Sequence, residues 1–359
     1  MRTLFLPLLF ACGQVSLGSS AASGGAAGGA PGPGGSAGSL PEPFDGDTPV
    51  DAGGVTARPA PDAGLELPMP PSCRQAPTCG VEGVSCCTAT VVPAGSYTFG
   101  LRDTTSSASR AAVSALGLDT FEVTLARYRE FASDYDRWRA EQNPRVGAGA
   151  HPEVDGSGWQ AAWNAALPVN SAALEQDAVV CAGSGISTWA AGVPDAAMNC
   201  LTWFEAFAFC AWDGGRLPLQ SEWEYAAVGG SEQREYPWGN SPEPTDELAA
   251  FGCADEGEGC SPPGPGAVGS HPGGAGRWGQ QDLAGSVSEW LLDVPGTYPA
   301  ACESCALVDE SLGPPGGQRI VRGASWADEA SALAIADRSG APAGLAVPIF
   351  GVRCARDVR

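Results

Sequence analysis

Thirteen cysteines in 359 residues constrain this chain more than any other feature. Cys12 stands apart at the end of an apolar N-terminal run, and the other twelve fall between Cys73 and Cys354. In the opening stretch Arg2 is the only charge, Leu4 to Phe10 is apolar, and Leu9-Phe10-Ala11-Cys12 has the form of a lipobox cut before its cysteine. That pattern predicts a signal peptide over 1–11, lipidation of Cys12, and a place in the bacterial cell envelope, at the outer membrane or cell surface. The remaining even number of cysteines, in an oxidising compartment, predicts six disulfides. Cys302-x-x-Cys305 has the spacing of half a zinc site. Without a second pair beside it, it reads as a small disulfide-bonded loop.

Residues 12–71 are mostly Gly, Ala, Ser and Pro with scattered acids. Such a stretch cannot bury a core and is expected to be a disordered tether of roughly 40 Å mean reach. A cysteine-rich segment, 72–87, carries Cys73, Cys79, Cys86 and Cys87 and is expected to pin the start of the folded domain, 88–359. The formal charge of −22 makes nucleic acid and anionic lipid poor partners. Membrane contact is therefore expected through the lipid anchor only. All 19 basic residues are arginine, which excludes Schiff-base chemistry and a Walker-type phosphate loop. Only His151 and His271 are present, too few for a three-histidine iron site. Each precedes proline in a glycine-rich stretch, which reads as surface loop.

Three helices are signposted. Thr202-Trp203-Phe204-Glu205 is a capping box, followed by Phe204, Phe207, Ala208 and Ala211 on one face and closed by Gly214-Gly215. Pro218 opens a second helix, with Trp223, Ala226 and Ala227 as its apolar stripe. A third begins at Thr124, with Leu125, Tyr128 and Phe131 facing inward. Short β-like pieces at 122–124, 319–321 and 349–353 alternate with Gly/Pro loops. The sum is an α+β domain with few helices, short strands and much irregular chain. Trp203, Trp223, Trp238 and Trp290 read as core pins, each with an N–H that needs a partner once buried. Arg216 reads as a buried guanidinium bonded to carbonyls or to a carboxylate such as Glu222 or Glu224.

An ordered series of landmarks runs along the domain. It includes Val92-Pro93-Ala94-Gly95, Phe121-Glu122-Val123-Thr124, Gly215-Arg216-Leu217-Pro218, Glu222-Trp223-Glu224-Tyr225 and Tyr236-Pro237-Trp238-Gly239-Asn240. It continues through Asp282-Leu283-Ala284-Gly285-Ser286-Val287-Ser288-Glu289-Trp290, Arg322-Gly323-Ala324-Ser325-Trp326 and Gly351-Val352-Arg353. In this order they resemble the sulfatase-modifying-factor, or formylglycine-generating enzyme, family. The resemblance implies a C-type-lectin-like fold and a Cys210–Cys354 disulfide. It also implies a structural Ca²⁺ site made by the Asp282 and Glu289 side chains and the Gly285 and Val287 carbonyls. These are the hard oxygen donors that ion prefers, although a surface turn with two solvated acids would read the same way.

The resemblance fails where the chemistry sits. The family's oxidases hold Cu(I) between two thiolates just after the Arg-Gly-x-Ser stretch, and a soft ion needs sulfur there. This chain has no cysteine between Ser325 and Val352, and Asp328 stands near the first thiol's place. Ser288 replaces the family's active-site tryptophan and Ile349 an asparagine. Ser325, Asp328 and Arg353 are what remains of the pocket, so no catalytic residue and no copper are expected. The Asp328-Glu329 pair reads as a general acid–base or cation site, or as solvated acids on a loop. The function expected is an exported lipoprotein displaying this domain as a binding or interaction module for a peptide, a glycan or an envelope protein. The alternative is a metal-dependent oxidase (non-heme iron or copper) acting on an exported substrate.

Overall fold

A computed structural model describes residues 69–75, 77–101, 108–181, 186–253, 264–298, 300–308 and 317–358. The signal peptide, Cys12 and nearly all of the expected tether lie outside the described residues.

Strand β9, Gln318–Arg322, organises the domain. It sits inside a four-stranded sheet of order β10-β9-β7-β11, beside β10 (Arg338–Pro342), β7 (Ser288–Trp290) and β11 (Phe350–Gly351). Successive side chains of a strand point to opposite faces. Accordingly Val321 joins one apolar core and Ile320 the other. The Val321 core is aromatic and helical, built on α1 (Leu125–Ala140) and α4 (Trp203–Trp212), with Phe131, Phe207, Phe209, Trp203 and Trp290 buried in it. The Ile320 core packs Trp223 and Tyr225 of α5 (Gln220–Ala227) against β4 (Gly95–Phe99) and β5 (Ser109–Val113). β8 (Ala301–Glu303) extends that sheet in the order β4-β5-β8. A further sheet, β12-β6-β3, joins Ala355–Asp357, Leu116–Asp119 and Ala89–Val92.

The three expected helices are present. α4 carries its capping box, with Thr202 and Glu205 each satisfying the other's backbone N–H. It is buried on nearly every side, not on one face, because sequence on both sides of it folds back over it. α5 begins two residues beyond Pro218, where Leu219 N–H donates to Glu222 Oε2 (2.8 Å) and Gln220 N–H to Asp293 Oδ2 (2.7 Å). Thr124 caps α1. Residues 122–124 make a single bridge, Thr124 to Ala197, in place of the expected strand. Val123 spends its groups on two separate segments, donating to the Val352 carbonyl and accepting from Met198 N–H, both at 2.8 Å. Two helices were not anticipated, α2 (Ser171–Val180) and α3 (Thr188–Ala191).

Disulfides staple this frame: Cys73–Cys87, Cys79–Cys86, Cys181–Cys200, Cys210–Cys354 and Cys302–Cys305, with Cys253 also disulfide-bonded. Cys210–Cys354 spans 144 residues. A closure of that length stabilises a fold by about 5 kcal/mol in the chain-entropy account. The cysteine-rich segment carries the hairpin β1–β2 (Thr78–Cys79, Val84–Ser85) and is built into the domain. Ser72 N–H donates to Asp213 Oδ1 (2.9 Å) and Arg127 Nε to Ser72 Oγ (3.0 Å). Beneath it Arg127 pairs with Asp119 (2.9 Å) and Asp213 (2.6 Å), and Arg356 pairs with the same two acids (3.2 and 2.8 Å).

Trp203, Trp223 and Trp290 are core pins as expected, donating to the Leu291 carbonyl, Glu289 Oε2 and the Leu201 carbonyl, each at 2.8 Å. Trp238 is half-buried and stacks on Tyr236 at 5.0 Å. No helix among the described residues is long and apolar enough to cross a membrane.

Candidate functional site

Ser325 and Asp328 meet each other, whereas the hydrogen bonds of Arg353 all go elsewhere. Ser325 is fully buried, and its N–H (2.8 Å) and hydroxyl (2.6 Å) both donate to Asp328 Oδ2. The Asp328 carboxylate thus closes its own four-residue turn. That turn is fixed from outside, by Gly252 N–H on the Asp328 carbonyl (2.7 Å) and Cys253 N–H on the Trp326 carbonyl (2.8 Å). Glu329 beside it is exposed. The Trp326 indole N–H reaches the Pro348 carbonyl at 3.2 Å. The two other altered positions are backbone neighbours, with Ser288 N–H donating to the Ile349 carbonyl at 2.8 Å. A small and an aliphatic residue are thus adjacent in the backbone where the family's tryptophan and asparagine would stand.

Arg353 serves a different place. Its Nε donates to both oxygens of Glu289 (2.8 Å each), Nη1 to the Asp119 and Thr120 carbonyls (3.2 Å each), and Nη2 to Glu289 (2.6 Å) and the Gln281 carbonyl (2.8 Å). Every arm of a guanidinium so held is used, which is how a buried arginine holds a fold together.

Around Glu289 lie two more buried acids. Asp282, in left-handed backbone at φ 56°, accepts the Gly269 N–H, and Glu122 accepts the Ser286 hydroxyl (2.8 Å) and Val287 N–H (3.0 Å). Burial pushes the Glu122 carboxyl well up, and the charges of Asp282 and Glu289 push it further against the pull of Arg353. Burial likewise raises Asp282 and Glu289. Three acids thus face one guanidinium in a buried site, where unbalanced charge is costly. The expected Ca²⁺ ligands, Asp282, Gly285, Val287 and Glu289, share one tight turn, with Gly285 at φ 83° and Ser286 at φ 60°. The excess negative charge and the all-oxygen donors fit a hard divalent cation. Glu289 would have to share its carboxylate between the ion, Arg353 and the Trp223 indole. Side chains alone do not make the cage: among the described residues no three His, Cys, Asp or Glu groups are arranged around a metal position. Any such site depends on the carbonyls.

Sequence reasoning missed Glu122, whose signal was its place in the Phe121-Glu122-Val123-Thr124 landmark. It also misplaced His151, which is not on a surface loop but 4 % exposed. Its Nδ1 accepts the Glu153 N–H (3.1 Å), which leaves the Nε2 proton facing Glu222 Oε1 (3.1 Å). Arg216 pairs with Glu222, through Nη1 to Oε2 and Nη2 to Oε1 at 2.7 Å each, and with Asp357 at 2.8 Å. Burial would raise the Glu222 carboxyl, but Arg216 and His151 more than offset it and hold it down at about 2. His271 is half-exposed.

Small sheets joined by irregular chain, few helices and a set of disulfide staples define a helix-poor α+β domain of the C-type-lectin-like class. The chain matches the sulfatase-modifying factor enzyme 1-like domain family over residues 78–358 and belongs to that family. It is 35 % identical over 167 residues to the bovine (Bos taurus) "inactive C-alpha-formylglycine-generating enzyme 2", covering 43 % of this chain and 48 % of that protein. The bovine formylglycine-generating enzyme is 27 % identical over 298 residues, 74 % of each chain. A hercynine oxygenase of Mycolicibacterium thermoresistibile is 35 % identical over 147 residues, covering 39 % of this chain and 31 % of the oxygenase. The chain spans about half or less of the length of the inactive enzyme and of the oxygenase. Among solved structures, PvdO from Pseudomonas aeruginosa superposes with a TM-score of 0.51 at 18 % identity over 76 % of this chain and 95 % of its own. Treponema denticola variable protein 1 gives 0.50 at 18 %, over 75 % and 94 %. Both likenesses concern the fold alone.

Proposed function

We propose that this protein is an exported, lipid-anchored envelope protein that displays a formylglycine-generating-enzyme-like domain as a binding module and does not generate formylglycine. One observation carries the reading. The stretch after Arg322-Gly323-Ala324-Ser325 contains no cysteine up to Val352, so neither of the two thiolates with which the family's oxidases hold copper is present in that stretch. Support comes from the polar remnants, which are spent internally: Ser325 on Asp328, and Arg353 on Glu289 and three backbone carbonyls. A relative with the word "inactive" in its own name is in keeping with it. The partner class is a peptide, a glycan or another envelope protein, and the resident ion, on the charge argument above, is Ca²⁺.

The test uses the purified exported chain. Incubated with copper, dioxygen and a sulfatase-derived cysteine peptide, it is expected to leave the peptide's mass unchanged. Appearance of the aldehyde product would end this reading. Metal analysis of the same preparation is expected to return calcium, whereas stoichiometric copper or iron with dioxygen uptake would favour an oxidase. For the anchor, Cys12→Ala is expected to move the protein from the membrane to the soluble fraction.

A further inference from the structure

The Cys302–Cys305 pair differs from every other described disulfide. It joins residues three apart, where the others span 7, 14, 19 and 144. A ring that small restricts the unfolded chain least, so the fold depends on it least. Its two residues also differ in exposure, as do those of Cys73–Cys87. Cys302 is half-buried on β8, the terminal strand of its sheet, between exposed Ala301 and Glu303, while Cys305 is 2 % exposed in the second core. Most other described cysteines are sealed, with Cys210 and Cys354 both at 0 %.

The surrounding backbone is also held by hydrogen bonds that do not involve the sulfurs. Arg110 N–H donates to the Ala300 carbonyl (3.0 Å), Ser304 N–H to the Ala112 carbonyl (3.0 Å), and the Ser221 hydroxyl to the Cys305 carbonyl (2.8 Å). These bonds hold the two α-carbons 5.3 Å apart. Two thiols kept in that frame stay within reach of each other and can reclose.

We infer that Cys302–Cys305 is a thiol–disulfide exchange site for an external dithiol. The dithiol's thiolate attacks the Cys302 sulfur, the Cys302–Cys305 bond breaks, and Cys305 leaves as a thiolate that takes a proton from water. The dithiol's second sulfur, as thiolate, then displaces Cys302, which is protonated in turn. The dithiol becomes a disulfide and two electrons pass to the protein pair; the reverse sequence restores it. Charge sets the choice of partner. Exposed Glu303 sits beside Cys302 and the Glu153 carboxylate is hydrogen-bonded to Ser304 within the ring, two acids against the one exposed guanidinium of Arg110, which pairs with Ala301. Neutral thiols are therefore favoured over anionic ones.

The test treats the full chain, without denaturant, with dithiothreitol or with anionic 2-mercaptoethanesulfonate at matched thiolate concentration. The reaction is quenched by alkylation and read by peptide mass spectrometry, with tryptophan fluorescence as the measure of folding. Cys302 and Cys305 are expected to be alkylated at least about tenfold faster than any other pair, with fluorescence unchanged. Dithiothreitol is expected to be the faster reagent, by a margin that shrinks with salt. Cys305→Ser, which retains the attackable position as a free thiol, is expected to accumulate a mixed disulfide at Cys302 when given an oxidised probe. Glu303→Gln is expected to speed the anionic reagent selectively. Opening of Cys73–Cys87 first, or alkylation of Cys302 only as fluorescence is lost, would overturn the proposal.

Discussion

Asp119 and Glu122 stand three residues apart and feed two buried ionic clusters of opposite balance. Asp119 joins Asp213 between Arg127 and Arg356, two acids against two guanidiniums. Burial alone would raise the Asp119 carboxyl, but Arg356 and Arg127 more than reverse it and hold it low. Glu122 instead joins Asp282 and Glu289 against the single guanidinium of Arg353, with His271 also drawing on Asp282, and all three carboxyls are pushed up. Burial is common to both, so burial does not distinguish a fastening from a site. The ratio of acids to guanidiniums does. The balanced cluster fastens the cysteine-rich segment to α1, and the overloaded one calls for a hard cation or for protons.

The largest effect expected follows from breaking the balance. Arg127→Met leaves two buried aspartates to share Arg356, a situation that costs about 3–5 kcal/mol. A urea-denaturation shift below about 1 kcal/mol would show that the two clusters are not different in kind.

Glu205 extends the comparison to a buried acid whose described partners include no guanidinium. Burial, opposed by the Thr202 N–H and hydroxyl, pushes its carboxyl up to about 7. A folded-state value above the unfolded one contributes stability that is full below the ordinary carboxylate range and is lost as pH rises through about 7. The contribution is about 3 kcal/mol at most. Glu205→Gln is expected to flatten the stability profile between mildly acidic and neutral pH; an unchanged slope would remove Glu205 from the account.

Next in size comes the overloaded cluster itself. Calcium at a hundredfold excess over its dissociation constant is expected to stabilise the domain by about 3 kcal/mol. Chelator should reverse the effect, and Glu122→Gln with Asp282→Asn should weaken it. No shift in melting temperature with calcium would mean that protons balance these acids. At the small end, exposed Arg137 of α1 reaches back to mostly covered Asp134 and pairs in the open with Glu141. Arg137→Ala is expected to leave the melting temperature where it was, since solvent already screens that pair.

What could be read from the sequence was local. The α4 capping box lies within four residues, and the Cys302-x-x-Cys305 ring closes over three. The absence of sulfur after Ser325 needs no fold to be noticed. The Cys210–Cys354 bond came from resemblance and is present. α2 escaped because its buried residues, Leu174 and Ala178, give only a faint stripe, although Asn170 caps it. His151 looked like a surface residue because its stretch is rich in glycine and proline. Its partner Glu222 lies 71 residues away and meets it only in the folded chain. The same holds for Arg356 and Asp119, separated by 237 residues. Ion pairs closed across whole domains leave no spacing to find.

The Cys210–Cys354 bond has a practical consequence for limited proteolysis. A single cut anywhere between those cysteines leaves the two fragments joined, with Arg353 and β12 still tied to α4. A clipped molecule would migrate intact on a non-reducing gel and separate only once a reductant is added, so such damage would stay hidden until the sulfur link is severed.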